Sequence, residues 1–285
     1  MAKKVMKVIV DSTCDLPEDL AKKYDIDIIP VFVHHEGKSF ADRIDLTPDS
    51  FYDILRNVDE LPTTSSATPK DFVDSITNAL KEYSSVFVTT LTSKLSATFQ
   101  SARIAAKKVK NKKIHLMDSK FGSGVLTFLS LAAAKLAKKG VPEEEIVEKV
   151  EQIRDESFLV GYVDNLENLK KSGRISNLKY MLGSLMKSKP ILELKEGILE
   201  AVGKASGKEK AQKKVVNEVL RRTDKKTKYD LMITHGDDLE AAELMMNKLE
   251  KKLNLGEKIV NYLTPALGVH LGIGTIVVSV SPSPF

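Results

Sequence analysis

The sequence predicts an α/β protein with two parts. One is an α/β/α domain on a parallel sheet, residues 1–156. The other is a smaller α+β domain with a mixed sheet, residues 157–285. Three observations predict it. Through the first half, short apolar runs alternate with helical periodicity, the rhythm of a parallel sheet covered by helices. In the second half, a hairpin signal is followed by helix, strand, helix and strand. The chain has 285 residues, 42% of them hydrophobic, enough for more than one packed core.

Taken in order, residues 5–10 read as the first strand, followed by a Ser/Thr/Asp turn and a helix over 17–24. Residues 26–33 read as one second strand. Thr47 and Pro48 open a helix that runs to Asn57, and Thr68 is placed to N-cap another over 69–83. The apolar run 86–91 is a buried strand, the hydroxyl-rich turn after it leads to a helix over 99–106, and 114–117 is a shorter strand. A long Ala/Leu-rich helix spans 124–139. The texture changes near Glu156. Residues 158–163 are a strand, and 191–202 form a hairpin turning at Glu196-Gly197. A polar helix over 208–222, a strand over 230–234, a helix over 239–253 and strands over 259–263 and 276–280 complete the chain.

Composition narrows the function. The net charge of +5 is the difference between 44 basic and 39 acidic residues interspersed along helices, which describes solvated faces and not a nucleic-acid surface. Cys14 is the only cysteine, so neither an intrachain disulfide nor a cysteine metal cluster can form. No apolar run approaches the roughly 18 residues of a membrane span, and a cytoplasmic protein is expected. The five histidines lack the spacing of a helical zinc site, so no metal is expected. Gly203-KASGKEK is a poor phosphate loop: three residues separate its glycines, and Glu209 stands where Ser or Thr is required.

Three hydroxyl-rich segments fall after strands or before helices: Asp11-STCD, Thr63-TSSAT and Thr90-LTSKLSAT. Ligands of parallel α/β sheets bind outside the carboxyl ends of the strands, where helix N-termini favour anions. Hydroxyls add directional donors without a full charge, so the three segments together indicate an anion pocket. Helix capping is the plainer account of Ser96 or Thr68 alone. Asp11 and Asp118 could form a metal-binding carboxylate pair or simply shape their turns. Two further segments stand out. Pro265-ALGVHLGIGT places His270 among Gly268, Gly272 and Gly274, residues that suit close approach or positive φ. Lys170-KSGRIS places Arg174 just after a helix stop at Gly173, free on the surface or set to meet a phosphate or an acidic partner.

In order along the chain, Val10-DSTCDLP, Leu61-PTTSSATPKDF, Thr90-LTSKLSATFQSA, Met117-DSKFGSG, Asn165-LENLKKSGRIS, Lys189-PILELKEG and Leu267-GVHLGIGT resemble the DegV family. The resemblance implies the two-domain fold above, with a long-chain fatty acid bound between the domains. It also implies a non-catalytic role as the binding subunit of a bacterial fatty acid kinase. Such a subunit presents the acyl carboxylate to a separate ATP-using kinase subunit and holds the acyl-phosphate for phospholipid synthesis. It implies no cofactor beyond the bound acid. By position, Thr64, Ser65, Ser93, Ser96 and His270 match the carboxylate-binding residues, and Arg174 the arginine that contacts phosphate or partner. The sequence departs at Ala97 and Ser172, where glycines are usual, at Ile273, where proline is common, and at Ser206, where arginine is frequent. The alternative class is a stand-alone phosphoryl or acyl transferase using the Asp11/Asp118 region with a metal.

An acyl ligand suits these features energetically. Burying about 16 carbons at roughly 0.8 kcal/mol per CH₂ gives about 12 kcal/mol before association costs. Hydrogen bonds to a charged carboxylate add about 1.5–3 kcal/mol each. The tail supplies most of the affinity, and neutral donors leave the carboxylate nucleophilic. The helix over 124–139 is the candidate lining of an acyl tunnel.

Overall fold

The strands of the first half are apolar on both faces, which demands cover on both sides. The structure, a computed structural model, describes residues 3–175 and 188–285 and shows how that cover is supplied. Strands β1 (Lys4–Asp11), β2 (Ile26–Ile29), β6 (Tyr83–Thr90) and β7 (Ile114–Asp118) form a parallel sheet in the order β2-β1-β6-β7. Ile9, Val86 and Val88 face helices α3 (Pro69–Glu82) and α4 (Thr98–Val109). Val8, Val10 and Phe87 face the other way, toward α1 (Glu18–Tyr24) and α5 (Ser123–Lys138).

The six-stranded mixed sheet has the order β10-β9-β8-β13-β11-β12. Its strands are β8 (Phe158–Tyr162), β9 (Lys189–Lys195), β10 (Ile198–Ala205), β11 (Lys228–His235), β12 (Asn254–Tyr262) and β13 (Ile276–Pro282). All pairs are antiparallel except β11–β12. Val160, Leu231, Ile233 and Val278 pack under α8 (Lys208–Arg222) and α9 (Leu239–Glu250), while Leu159, Met232 and Val277 join α5. The result is five layers, helix-sheet-helix-sheet-helix, with α5 shared by both sheets. Every strand of the parallel sheet precedes Ser157 and every strand of the mixed sheet follows it.

Four features differ from the sequence expectation. The strand expected over 26–33 is broken at Pro30, which has no N–H to give to a ladder. β2 stays in the parallel sheet. β3 (Phe32–His35) instead pairs antiparallel with β4 (Lys38–Ala41) and β5 (Thr63–Ser65). Residues 140–156, given no element, contain α6 (Glu143–Glu156), whose Ile146, Val150 and Ile153 face the core. The segment around His270 is a short helix, α10 (Pro265–Leu271). Finally, α5 does not line a tunnel: it is buried against both sheets, and Gly124 lies where a Cβ would come within 2.7 Å of Ser279 Cβ. Two short helices complete the frame of the site, α2 (Pro48–Asn57) and α7 (Glu167–Lys171). Among the described residues no helix is long and apolar enough to cross a membrane.

Candidate functional site

Strands β1, β6 and β7 end at the same edge of the parallel sheet, as parallel connections require. Beyond that edge, between it and the mixed sheet, lies a cavity of about 210 Å³. Its walls are mostly aliphatic: Leu91 and Leu95 from the turn after β6, Leu159 from β8, and Leu192, Leu194 and Leu199 from the β9–β10 hairpin. The hairpin tip is fastened to the hydroxyl-rich turn. Thr92 Oγ1 donates to the Gly197 carbonyl at 3.2 Å, and Lys120 Nζ pairs with Glu196 at 2.6 Å. Leu192, Leu194 and Ser123 fall inside the quoted motifs but are lining residues not named among the expected site residues, and Leu199 lies outside the motifs. Alternating apolar positions at 192, 194 and 199 were the available signal.

The structure brings Thr64, Ser65, Ser96, Arg174 and His270 together on this cavity. Thr64 and Ser65 lie on β5, whose pairing with β3 holds them at fixed register, Thr64 opposite Val33. Thr64 Oγ1 is 2.8 Å from His270 Nε2, joining residues 206 positions apart. Ser65 Oγ is 2.8 Å from His34 Nε2. Burial, reinforced by the neighbouring Arg174 charge, pushes His270 down to about 3, so its imidazole is neutral near pH 7. Its Nδ1 is buried without a partner among the described residues. Arg174 donates from Nη1 to the Ser172 carbonyl at 2.7 Å and has no ion-pair partner among the described residues. The motif's last residue, Ser176, lies outside the described residues.

Ser96 lines the cavity and also shapes the entry to α4, accepting from Thr98 N–H at 3.2 Å. Ser93 is placed differently: it is exposed and does not line the cavity, and its N–H points to both Asp118 oxygens at 3.3 Å. Asp11 is fully buried and occupied, accepting from Thr13 N–H at 3.0 Å, Thr13 Oγ1 at 2.5 Å and Leu91 N–H at 2.6 Å. Asp118 accepts from Lys120 N–H as well. Both carboxylates therefore do turn chemistry. Among the described residues no group of three or more His, Cys, Asp or Glu side chains could hold a metal ion. Ala97 and Ser172 have φ of −79° and −84°, so neither departure from glycine is strained.

Thr64, Arg174 and His270 also border a second pocket of about 390 Å³, more polar than the first, lined by Asp59, Glu60 and Lys171 together with Leu61 and Pro62. They form a partition, with an apolar chamber on one side and a polar vestibule on the other. The arrangement can receive an amphipathic molecule whose acidic head reaches the partition and whose tail fills the chamber.

Known proteins share this architecture. The DegV family, described as uncharacterised proteins, matches residues 5–283. A DegV domain-containing protein of Caldanaerobacter subterraneus is 32% identical over 94% of this chain and 93% of its own length. A fatty acid-binding protein of Thermotoga maritima is 30% identical over 95% of this chain and 96% of its own. The solved structure of a DegV family protein from Thermus thermophilus, described by its fatty acid binding, superposes with a TM-score of 0.92. It is 29% identical, over 98% of this chain and 99% of that one. The chain belongs to the DegV family.

Proposed function

We propose that this chain binds a long-chain fatty acid, its tail in the leucine-lined chamber and its carboxylate at the Thr64/Arg174/His270 partition. The observation that carries the reading is the chamber itself: a mostly apolar space that shares Thr64, Arg174 and His270 with the vestibule. The fatty acid binding described for the Thermotoga and Thermus relatives supports it. A carboxylate only accepts hydrogen bonds, so the hydroxyls of Thr64, Ser65 and Ser96 and the guanidinium of Arg174 serve as donors. Ser93 reaches the head only if its turn moves. With its one proton on Nε2, neutral His270 donates to Thr64 Oγ1 and leaves that hydroxyl's own proton for the carboxylate.

The protein acts as a carrier, cytoplasmic and not itself catalytic. The vestibule leaves one side of the carboxylate approachable, as delivery to an ATP-using kinase subunit requires. Hydroxyl donors hold the oxygens without drawing off as much nucleophilicity as a second cation would. A transferase using Asp11 and Asp118 is disfavoured, because both side chains are already engaged, each by its own turn and by a backbone N–H of the turn after β6.

Extraction of the purified protein with organic solvent, followed by mass spectrometry, tests the reading, together with titration of the delipidated protein with palmitate. Recovery of acyl species or saturable palmitate binding is expected. No lipid in the extract and no binding on titration would overturn it.

A further inference from the structure

Helix α10, which carries His270, is capped from far away in the sequence. Pro265 has no N–H, and the hydroxyl of Thr264 makes no capping bond. Two carboxylates of the parallel-sheet half take over. Thr264 N–H donates to Asp15 Oδ1 at 2.9 Å, across 249 residues, and Ala266 N–H donates to Asp42 Oδ1 at 3.1 Å, across 224. Asp15 is 0% exposed and Asp42 1%. Burial holds both above the ordinary carboxylate range, Asp15 at about 7 and Asp42 at about 6, with Arg43 offsetting part of the effect. Two carboxylates are costly in such a place, and local residues could have satisfied the same N–H groups, a Ser or Asp cap that of Ala266 and a Glu or Gln at position 267 that of Thr264. What a local cap could not do is tie the helix to the other half of the molecule.

The surrounding contacts make the tie rigid. Ser12 Oγ donates to Asp42 Oδ2 at 2.6 Å, and Asn261 Nδ2 donates to the Asp15 carbonyl at 2.8 Å. One turn on, Gly268 rests on α2, where a Cβ would come within 2.5 Å of Phe51 Cε1. His270 follows two residues later, with Nε2 against Thr64. A seven-residue helix spans only about 10 Å, so a shift of its first turn is carried to its last.

We infer that Asp15 and Asp42 are positioning residues for the partition: by fastening the first turn of α10 to the parallel-sheet half, they set where His270 stands against Thr64. The inference deepens the proposed fatty acid site and rests on it for its affinity arm. Its imidazole arm stands without any ligand.

The experiment compares Asp15→Ala and Asp42→Ala with Asp15→Asn and Asp42→Asn, which keep an acceptor oxygen. The control is Asp230→Ala, which removes another buried carboxylate that accepts Glu257 N–H at 2.8 Å, away from α10. Nitrogen-15 and proton resonances of the His270 ring are recorded on the ligand-free protein, and palmitate affinity is measured on the same samples. The Ala variants are expected to move or broaden the His270 resonances and to weaken palmitate about tenfold, the loss of one buried hydrogen-bond acceptor. The Asn variants are expected to restore both, and the control to move neither. Asp42→Ala leaves the Asp15 bond in place, so it decides the question should Asp15→Ala not fold. Unmoved His270 resonances with unchanged affinity in a folded Asp42→Ala protein would overturn the inference and leave a cap that serves stability alone. Should the unsubstituted protein bind no palmitate, the proposed function fails while the ring resonances still decide this inference.

Discussion

Replacing His270 by Gln removes a titrating group from the partition, and the structure gives the size and sign of the effect. The imidazole is pushed from 6.5 to about 3, first by burial and then by the Arg174 charge. Between those values the unfolded chain binds a proton that the folded chain refuses, so falling pH favours unfolding. At pH 5 the penalty is RT ln(1 + 10^1.5), about 2 kcal/mol, and at pH 8 it vanishes. Asp15 and Asp42 work in the opposite sense. Raised to about 7 and about 6, they take up protons in the folded state first and so favour folding as pH falls. A raw pH profile therefore mixes the two effects, whereas the difference between native protein and His270→Gln isolates the imidazole. Urea denaturation of both at pH 8, 7, 6 and 5 supplies that difference. It is expected to move by about 2 kcal/mol in favour of the variant from pH 8 to pH 5. A difference constant to within about 0.5 kcal/mol would show an imidazole that titrates normally in the fold, and with it a partition that gains a second positive charge below pH 6.5.

A pair of serine substitutions and a single glycine substitution test other parts of the structure. Ser96→Ala is expected to weaken palmitate by about fivefold to tenfold and Ser93→Ala by less than twofold, since only Ser96 lines the cavity; fluorescence titration checks this, and the reverse order would place Ser93 at the head. Gly124→Ala, whose Cβ would lie 2.7 Å from Ser279 Cβ and 2.8 Å from Met232 Cβ, is expected to cost about 1–3 kcal/mol in urea denaturation, and a loss under about 0.5 kcal/mol would mean that α5 rides looser between the sheets than its contacts indicate.

The parallel sheet was legible because its strands are short apolar runs separated by helices with their own start signals, such as Thr68-Pro69 with Asp71 completing a capping box. The mixed sheet was legible from the Glu196-Gly197 turn, where both residues have positive φ. Pro30 was a visible break within an apolar run, yet composition alone could not say that β3 would leave the sheet for another. Of the site, Thr64, Ser96 and His270 were legible as hydroxyls at strand ends and a histidine among glycines. The role of Gly268 was half legible: it is helical and admits the rings of Phe51 and Tyr52, whereas Gly272 and Gly274 do take positive φ. On sequence alone Ser96 reads first as a helix cap, yet Ser96 and not Ser93 lines the cavity, because two serines three residues apart in a turn differ only in where the turn points. Asp15 and Asp42 were beyond reach, since a cap supplied across more than 220 residues leaves no local pattern.

The long helix shows why the cavity is where it is. Its Ala/Leu-rich sequence suits a tunnel wall as well as it suits a core, and composition cannot choose between them. Geometry chooses: α5 is shared by both sheets, and nearly all of its residues are buried, so along its length the seam between the halves is filled. The seam stays open only past the helix's first residue. Gly122 and Ser123 form that edge of the chamber, and at Gly122 a Cβ would meet Leu91 Cδ1 at 2.5 Å. The small residues that open α5 thus let the turn after β6 close against it, and that turn carries Ser96 and Leu95 to the cavity. Helix packing fixes one end of the chamber, the hairpin leucines roof it, and the tethered α10 sets the partition.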